Sequence, residues 1–82
     1  MAKQSQRYWL TFPAERARRP LIWEMSRKFD VVFDIRSASI TDKVGIIALE
    51  LTGEEKVIQA AVKWLRQKKV GVDPIELGVI ES

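Results

Sequence analysis

The sequence predicts an α+β fold of the ferredoxin-like, split βαβ type: a four-stranded antiparallel sheet with two helices on one face. Six segments of alternating or helical hydrophobic period follow one another in 82 residues, in the order strand–helix–strand–strand–helix–strand. The length fits one domain. Pro74 interrupts the last extended segment, which favours an edge strand, and this fold places its last strand at an edge.

The first strand is predicted over residues 7–13, where hydrophobic side chains alternate. Tyr8, Leu10 and Phe12 share the face that we expect to be buried, and Trp9 lies on the other face. Pro13 ends the strand because it has no N–H to donate.

The first helix is predicted over residues 20–29, with Pro20 at its start, where a missing N–H costs nothing. Trp23 lies away from the apolar stripe of this helix, so we expect it to be at least partly exposed. The stripe consists of Leu21, Ile22, Met25 and Phe29.

The second strand is predicted over residues 31–40, and its hydrophobic alternation slips by one residue near Arg36 and Ser37. One inserted residue explains such a slip, which predicts a β-bulge there. The side chains expected in the core are Val31, Phe33 and Ile35 before the slip, and Ala38 and Ile40 after it.

The second half of the chain repeats the pattern. The third strand, over residues 45–51, turns Ile47, Leu49 and Leu51 towards the helices and Ile46, Ala48 and Glu50 towards the open face of the sheet. Residues 53–68 have a helical period, and Thr52 and Glu55 have the spacing of a capping box at its start. The helix buries Val57, Ile58, Ala61 and Leu65, and the last strand, over residues 70–77, buries Val70 and Val72.

We therefore expect one domain over residues 7–77, flanked by tails at residues 1–6 and 78–82. No apolar run reaches the ~20 residues of a membrane span, and no signal-peptide core follows the first charges, which favours a cytoplasmic protein without membrane insertion.

The composition argues against most catalytic chemistry. The chain has no His and no Cys, the residues that most often serve as general base, thiol nucleophile or zinc ligand. Its four glycines are scattered, so no phosphate-binding loop is present, and its acidic residues lack the spacing of a calcium loop. The sequence thus predicts a non-enzymatic protein without cofactor or metal.

The open sheet face predicts an interface. Trp9, Ile46 and Ala48 would form an apolar patch there, and a homodimer would cover it. The seam of such a dimer either holds a small ligand or holds nothing. The composition of this face argues against nucleic-acid binding, because Trp9 is the one aromatic residue that we place there, beside Glu50. A second surface, for a partner protein, is predicted at Arg16, Arg18, Arg19 and Trp23.

The sequence also resembles the NIL domain, the ferredoxin-like regulatory domain at the C-terminus of bacterial methionine-import ABC ATPases, which also occurs alone and fused to ferredoxin modules. The resemblance covers residues 7–77. It is carried by residues 8–12, 20–31, 45–53 and 61–65, with Val70 and Val72. It implies a dimeric sensor that binds methionine near its dimer interface.

The Asn-Ile-Leu triplet that names the domain falls on Asp34, Ile35 and Arg36, where only the isoleucine is kept. The family's methionine contact lies at the Asn position, so the resemblance implies a ligand site at Asp34, extending over Ile35, Arg36, Ser37 and Ala38. Ionised Asp accepts hydrogen bonds but cannot donate them, so Asp34 suits an ammonium group, and Arg36 suits a carboxylate.

Three functions follow, in order of preference. The first is a regulatory domain that senses methionine or a related amino acid or sulfur metabolite. The second is an adaptor that docks, without a ligand, to a transporter or to a ferredoxin or other sulfur-metabolism protein. The third is a weak RNA-binding module. For Asp34 and Arg36 the plainer alternative is an exposed ion pair with no ligand, worth ~0–1 kcal/mol.

Overall fold

A computed structural model describes residues 3–13 and 20–75. The strands are β1 (Gln4–Pro13), β2 (Val32–Ile40), β3 (Val44–Gly53) and β4 (Gly71–Ile75), and the helices are α1 (Leu21–Lys28) and α2 (Glu55–Gln67). The element order confirms the predicted βαββαβ fold. Arg16, Arg18 and Arg19, and the tail expected at residues 78–82, lie outside the described residues.

The four strands form one antiparallel sheet in the order β2-β3-β1-β4. β4 is an edge strand, as Pro74 predicted, and β2 is the opposite edge. β1 begins at Gln4, three residues before the start that the alternation indicated, because Gln4, Ser5 and Gln6 continue the pairing with β3. The pairing of β1 with β3 therefore runs from Gln4, opposite Gly53, to Pro13, opposite Val44.

The hydrophobic core lies between the sheet and the two helices. Tyr8, Leu10 and Phe12 are buried and Trp9 is exposed, as the alternation of β1 predicted. Phe29 and Trp64 close the space between α1 and α2 with an edge-to-face contact, their ring centroids 6.3 Å apart. The most deeply buried side chains are Leu10, Leu21, Met25, Leu49, Leu51, Ile58 and Leu65.

The capping box predicted at Thr52 and Glu55 is wrong. β3 continues through Gly53, Glu54 occupies the N-cap position of α2, and no side chain caps the helix. Instead the Thr52 hydroxyl lies 2.8 Å from the Ser5 hydroxyl on β1, and Glu55 accepts a bond from Gln4. Thr52 is therefore a strand residue that pairs with β1, and not the cap of α2 that the local pattern predicted.

The predicted burial along β2 is also wrong. Phe33, Ile35 and Ile40 are 37%, 48% and 65% exposed, and Ala38 is exposed as well, although Val31 is buried. The reason is the length of α1. Its eight residues rise about 12 Å, whereas the nine residues of β2 extend about 30 Å. The helix cannot cover the strand, so the helix side of β2 opens into a groove.

Candidate functional site

The register of the sheet places four charged side chains together on its open face. Asp34 of β2 pairs with Glu50 of β3, and Glu50 pairs on its other side with Arg7 of β1. Arg36 joins them from the bulge of β2. We call Arg7, Asp34, Arg36 and Glu50 the charged row. It spans three strands, and its two acids balance its two bases.

Arg36 connects the two carboxylates of the charged row. Its Nη1 donates to Asp34 Oδ2 at 3.0 Å and lies 3.6 Å from Glu50 Oε1. Arg7 Nε lies 3.8 Å from Glu50 Oε2 and is a buried donor without a hydrogen-bond partner among the described residues. The Asp34 side chain is 62% exposed and that of Glu50 is 22% exposed, so the row has one accessible and one sheltered carboxylate.

A bulge in β2 sets this geometry. The register shifts between Ile35 and Ser37, which confirms the irregularity predicted near Arg36 and Ser37. Before the shift Asp34 faces Glu50, and after it Ser37 faces Ala48, so both lie on the open face, and the guanidinium of Arg36 reaches the same face. In a regular strand, successive side chains alternate between the two faces, so residues three positions apart, such as Asp34 and Ser37, would lie on opposite faces. The extra residue of the bulge brings them to the same face.

The bulge also divides the five residues predicted as the ligand site. Asp34, Arg36 and Ser37 lie together on the open face. Ile35 pairs with Leu49, and Ala38 pairs with Ile47, so these two lie on the helix side. Arg7 and Glu50, which sequence reasoning did not include, complete the polar group instead.

The predicted interface residues lie on the open face beside the charged row. Trp9 and Ile46 are 43% and 40% exposed. Ala48 lies between Trp9 and Ser37 but is buried, so the exposed apolar area here comes from the first two. Asp73 of β4 pairs with Trp9 and adds an acidic group to the same face.

A second concave surface lies on the helix side. We call it the α1–β2 groove. One wall is the start of α1, the other is β2, and the floor is Phe12 and Ile47. Its cavity volume is about 330 Å³. The walls and rim are formed by Pro20, Leu21, Ile22, Trp23, Phe33, Ile35, Ile40 and Gly45.

Trp23 stands at the rim of the α1–β2 groove and is 58% exposed, as predicted. The guanidinium carbon of Arg27, one turn further along α1, lies 5.6 Å from the centre of the Trp23 ring. This contact places a positive charge beside the groove.

The grouping of the acidic residues and the length of the helices bear on the kind of site. Within residues 3–13 and 20–75, no three acidic, His or Cys side chains are grouped so that they could bind a metal ion. Neither described helix is long and apolar enough to cross a membrane.

Comparison with known proteins places the chain in a family. The sequence profile of the NIL domain matches residues 6–74. The chain is 31% identical over 70 residues to the methionine import ATP-binding protein MetN of Bacillus subtilis (strain 168), which covers 80% of this chain and 20% of that protein. The chain thus spans about a fifth of the length of this curated relative.

A solved structure of an ABC transporter domain has the same fold. The C-terminal domain of an ABC transporter ATP-binding protein from Enterococcus faecalis superposes with a TM-score of 0.78 at 27% identity. The match covers 89% of this chain and 86% of that domain.

Proposed function

Since this chain belongs to the NIL domain family, we propose that it is a regulatory module that binds methionine or a related amino acid on its open sheet face. It is similar to a fifth of a protein named for methionine import and to the C-terminal domain of an ABC transporter ATP-binding protein. The observation that carries the proposal is the charged row, which presents acceptors and donors side by side on an accessible surface.

The charged row suits the two ends of an amino acid. Asp34 has a largely exposed carboxylate that can accept bonds from an α-ammonium group. Arg36 uses one of its nitrogens on Asp34 and Glu50, which leaves guanidinium donors for an α-carboxylate. The adjacent Trp9 offers an apolar surface for the ligand's side chain.

Glu50 and Arg7 have a supporting role in this proposal. The sheltered carboxylate of Glu50 lies between the two arginines and fixes the direction of Arg36. Arg7 Nε has no hydrogen-bond partner among the described residues, and a bound carboxylate is one group that would supply it.

Titration calorimetry with methionine, homocysteine and other amino acids tests the proposal. We expect binding with a dissociation constant of about 1 mM or tighter for at least one of them. Arg36→Ala and Asp34→Ala should each abolish the heat, because each removes the partner of one ligand charge. Both residues are exposed, so circular dichroism should show an intact fold.

The matched control is Asp73→Ala, which removes an exposed acid from the same sheet face outside the charged row. It should leave binding unchanged. An absence of heat with every amino acid, or equal loss in the control, would contradict the proposal and leave the adaptor function ahead.

The homodimer predicted at Trp9 and Ile46 belongs to the same proposal. Both side chains leave apolar surface exposed next to the charged row, and a second copy would cover it. Sedimentation at micromolar concentration should give about twice the 9.4 kDa mass of the chain. A single 9.4 kDa species would contradict the dimer.

One observation favours the adaptor as a second candidate. Trp23 is a largely exposed aromatic residue that carries Arg27 on its ring, a combination enriched in protein interfaces. Arg16, Arg18 and Arg19 precede it in the sequence. The partner would be a transporter subunit or a ferredoxin or other sulfur-metabolism protein.

A further inference from the structure

We infer that the α1–β2 groove is a second ligand site, separate from the charged row, which takes an alkyl or aryl group that carries a carboxylate. The inference does not rest on the proposed amino-acid site, because the two surfaces lie on opposite faces of the sheet. Ile35 and Ile47 line the groove, whereas their strand neighbours Asp34 and Ala48 lie on the open face.

The shape and lining of the groove define the apolar part of the ligand. Its volume of about 330 Å³ is in the lower range of small-molecule sites, ~300–1,000 Å³. None of the ten described residues that line it is charged, and three of them, Phe12, Trp23 and Phe33, are aromatic. Exposed aromatic and branched side chains around a cavity favour a ligand that removes them from water.

The charge at the rim defines the other end of the ligand. The guanidinium carbon of Arg27 lies 5.6 Å from the centre of the Trp23 ring, so its positive charge lies next to a residue that lines the groove. A carboxylate is the head group that this side favours, because arginine pairs with it through two parallel hydrogen bonds. A zwitterion is disfavoured, since none of the described residues that line the groove is acidic.

The probes are octanoate, octanol and methionine, added to the full chain and followed through backbone amide shifts in NMR. Octanoate should bind saturably and shift the amides of Phe33, Ile35 and Ile40. Octanol should shift the same amides with lower affinity. Methionine should leave them unchanged, so failure of the groove and failure of the amino-acid site are separable.

Two pairs of variants test the two halves of the inference. Ile40→Glu puts a charge at the groove and should weaken octanoate binding about tenfold or more. Its control, Val32→Glu, changes an equally exposed residue on the opposite face of β2 and should have no effect. Arg27→Gln should weaken octanoate binding about two- to fivefold and leave octanol unchanged. Lys63→Gln, on α2, is its control.

Several results would overturn the inference. One is the absence of saturable octanoate binding, and another is equal weakening by Ile40→Glu and Val32→Glu. A third is sedimentation showing a dimer that Ile40→Glu dissociates, because a second copy would then occupy the groove.

Discussion

The buried phenol of Tyr8 makes the stability of the core depend on pH. Its ring is buried beneath α2, and burial raises the pKa of its phenol above the ordinary value of 10.0. A hydrogen bond with Gln59 and the charge of Arg66 lower the pKa, while the charge of Glu55 raises it, and burial prevails. The folded protein therefore holds the phenol proton more tightly than the unfolded chain does.

This direction predicts a loss of stability at high pH. The contribution of Tyr8 is fully present below the unfolded pKa of about 10 and is lost as the pH rises through the raised folded pKa. In urea unfolding between about pH 8 and pH 11, the wild type should lose more free energy of unfolding than Tyr8→Phe. The variant lacks the hydrogen bond with Gln59 and should be slightly less stable at pH 8. Equal pH slopes for the two proteins would contradict this account.

The residues of the charged row were only partly predictable. Asp34 and Arg36 are two positions apart in the sequence, and the resemblance to the NIL domain implies a ligand contact there. Arg7 and Glu50 are 43 residues apart. Their contact depends on the register between β1 and β3, which a linear pattern does not specify. The alternation of β1 puts Arg7 on the same face as Trp9, and Glu50 was expected on the open side, so pairing the two strands in the correct register would have joined Arg7 and Glu50.

The elements show where local signals succeed and where tertiary contacts override them. The bulge in β2 was predictable because a slip in hydrophobic parity is a direct record of an inserted residue. The capping box failed because Thr52 has a better partner in Ser5, which lies 47 residues away. The exposure of β2 depends on the short length of α1, and helix ends are not sharply encoded in a sequence.

The end of α2 supplies a prediction at this scale. Lys69 has a φ of 70°, in the left-handed region. The Lys69 N–H bonds to Arg66 O at 3.0 Å, and the Val70 N–H bonds to Leu65 O at 3.1 Å. These bonds end the helix in the manner that usually selects glycine.

Lys69→Gly should therefore stabilise the protein by about 0.5–1 kcal/mol, because glycine adopts this conformation without a Cβ clash. Lys69→Ala is the control: it removes the same charge but keeps the Cβ, and should give no gain. The midpoint of urea unfolding measures both. A gain in the alanine variant equal to that in the glycine variant would show that charge, and not backbone strain, is responsible.

For the whole molecule, the fold was predictable because the order of hydrophobic periods leaves few ways to bury both helices on one sheet. Three of the strands, β1, β2 and β3, contribute to two different surfaces. One is the open face with the charged row, and the other is the apolar α1–β2 groove. Because the sheet separates them, the two proposed ligands would bind on opposite faces of a chain of 82 residues.

The most direct test of the central claim is a titration of the uniformly labelled chain with methionine, followed by amide shifts across both faces. We expect the shifts to concentrate at Arg7, Asp34, Arg36 and Glu50, and Arg36→Ala to remove them. Shifts confined to Phe33 and Ile40 in the groove, or no saturable shift with methionine or any other amino acid, would contradict this claim.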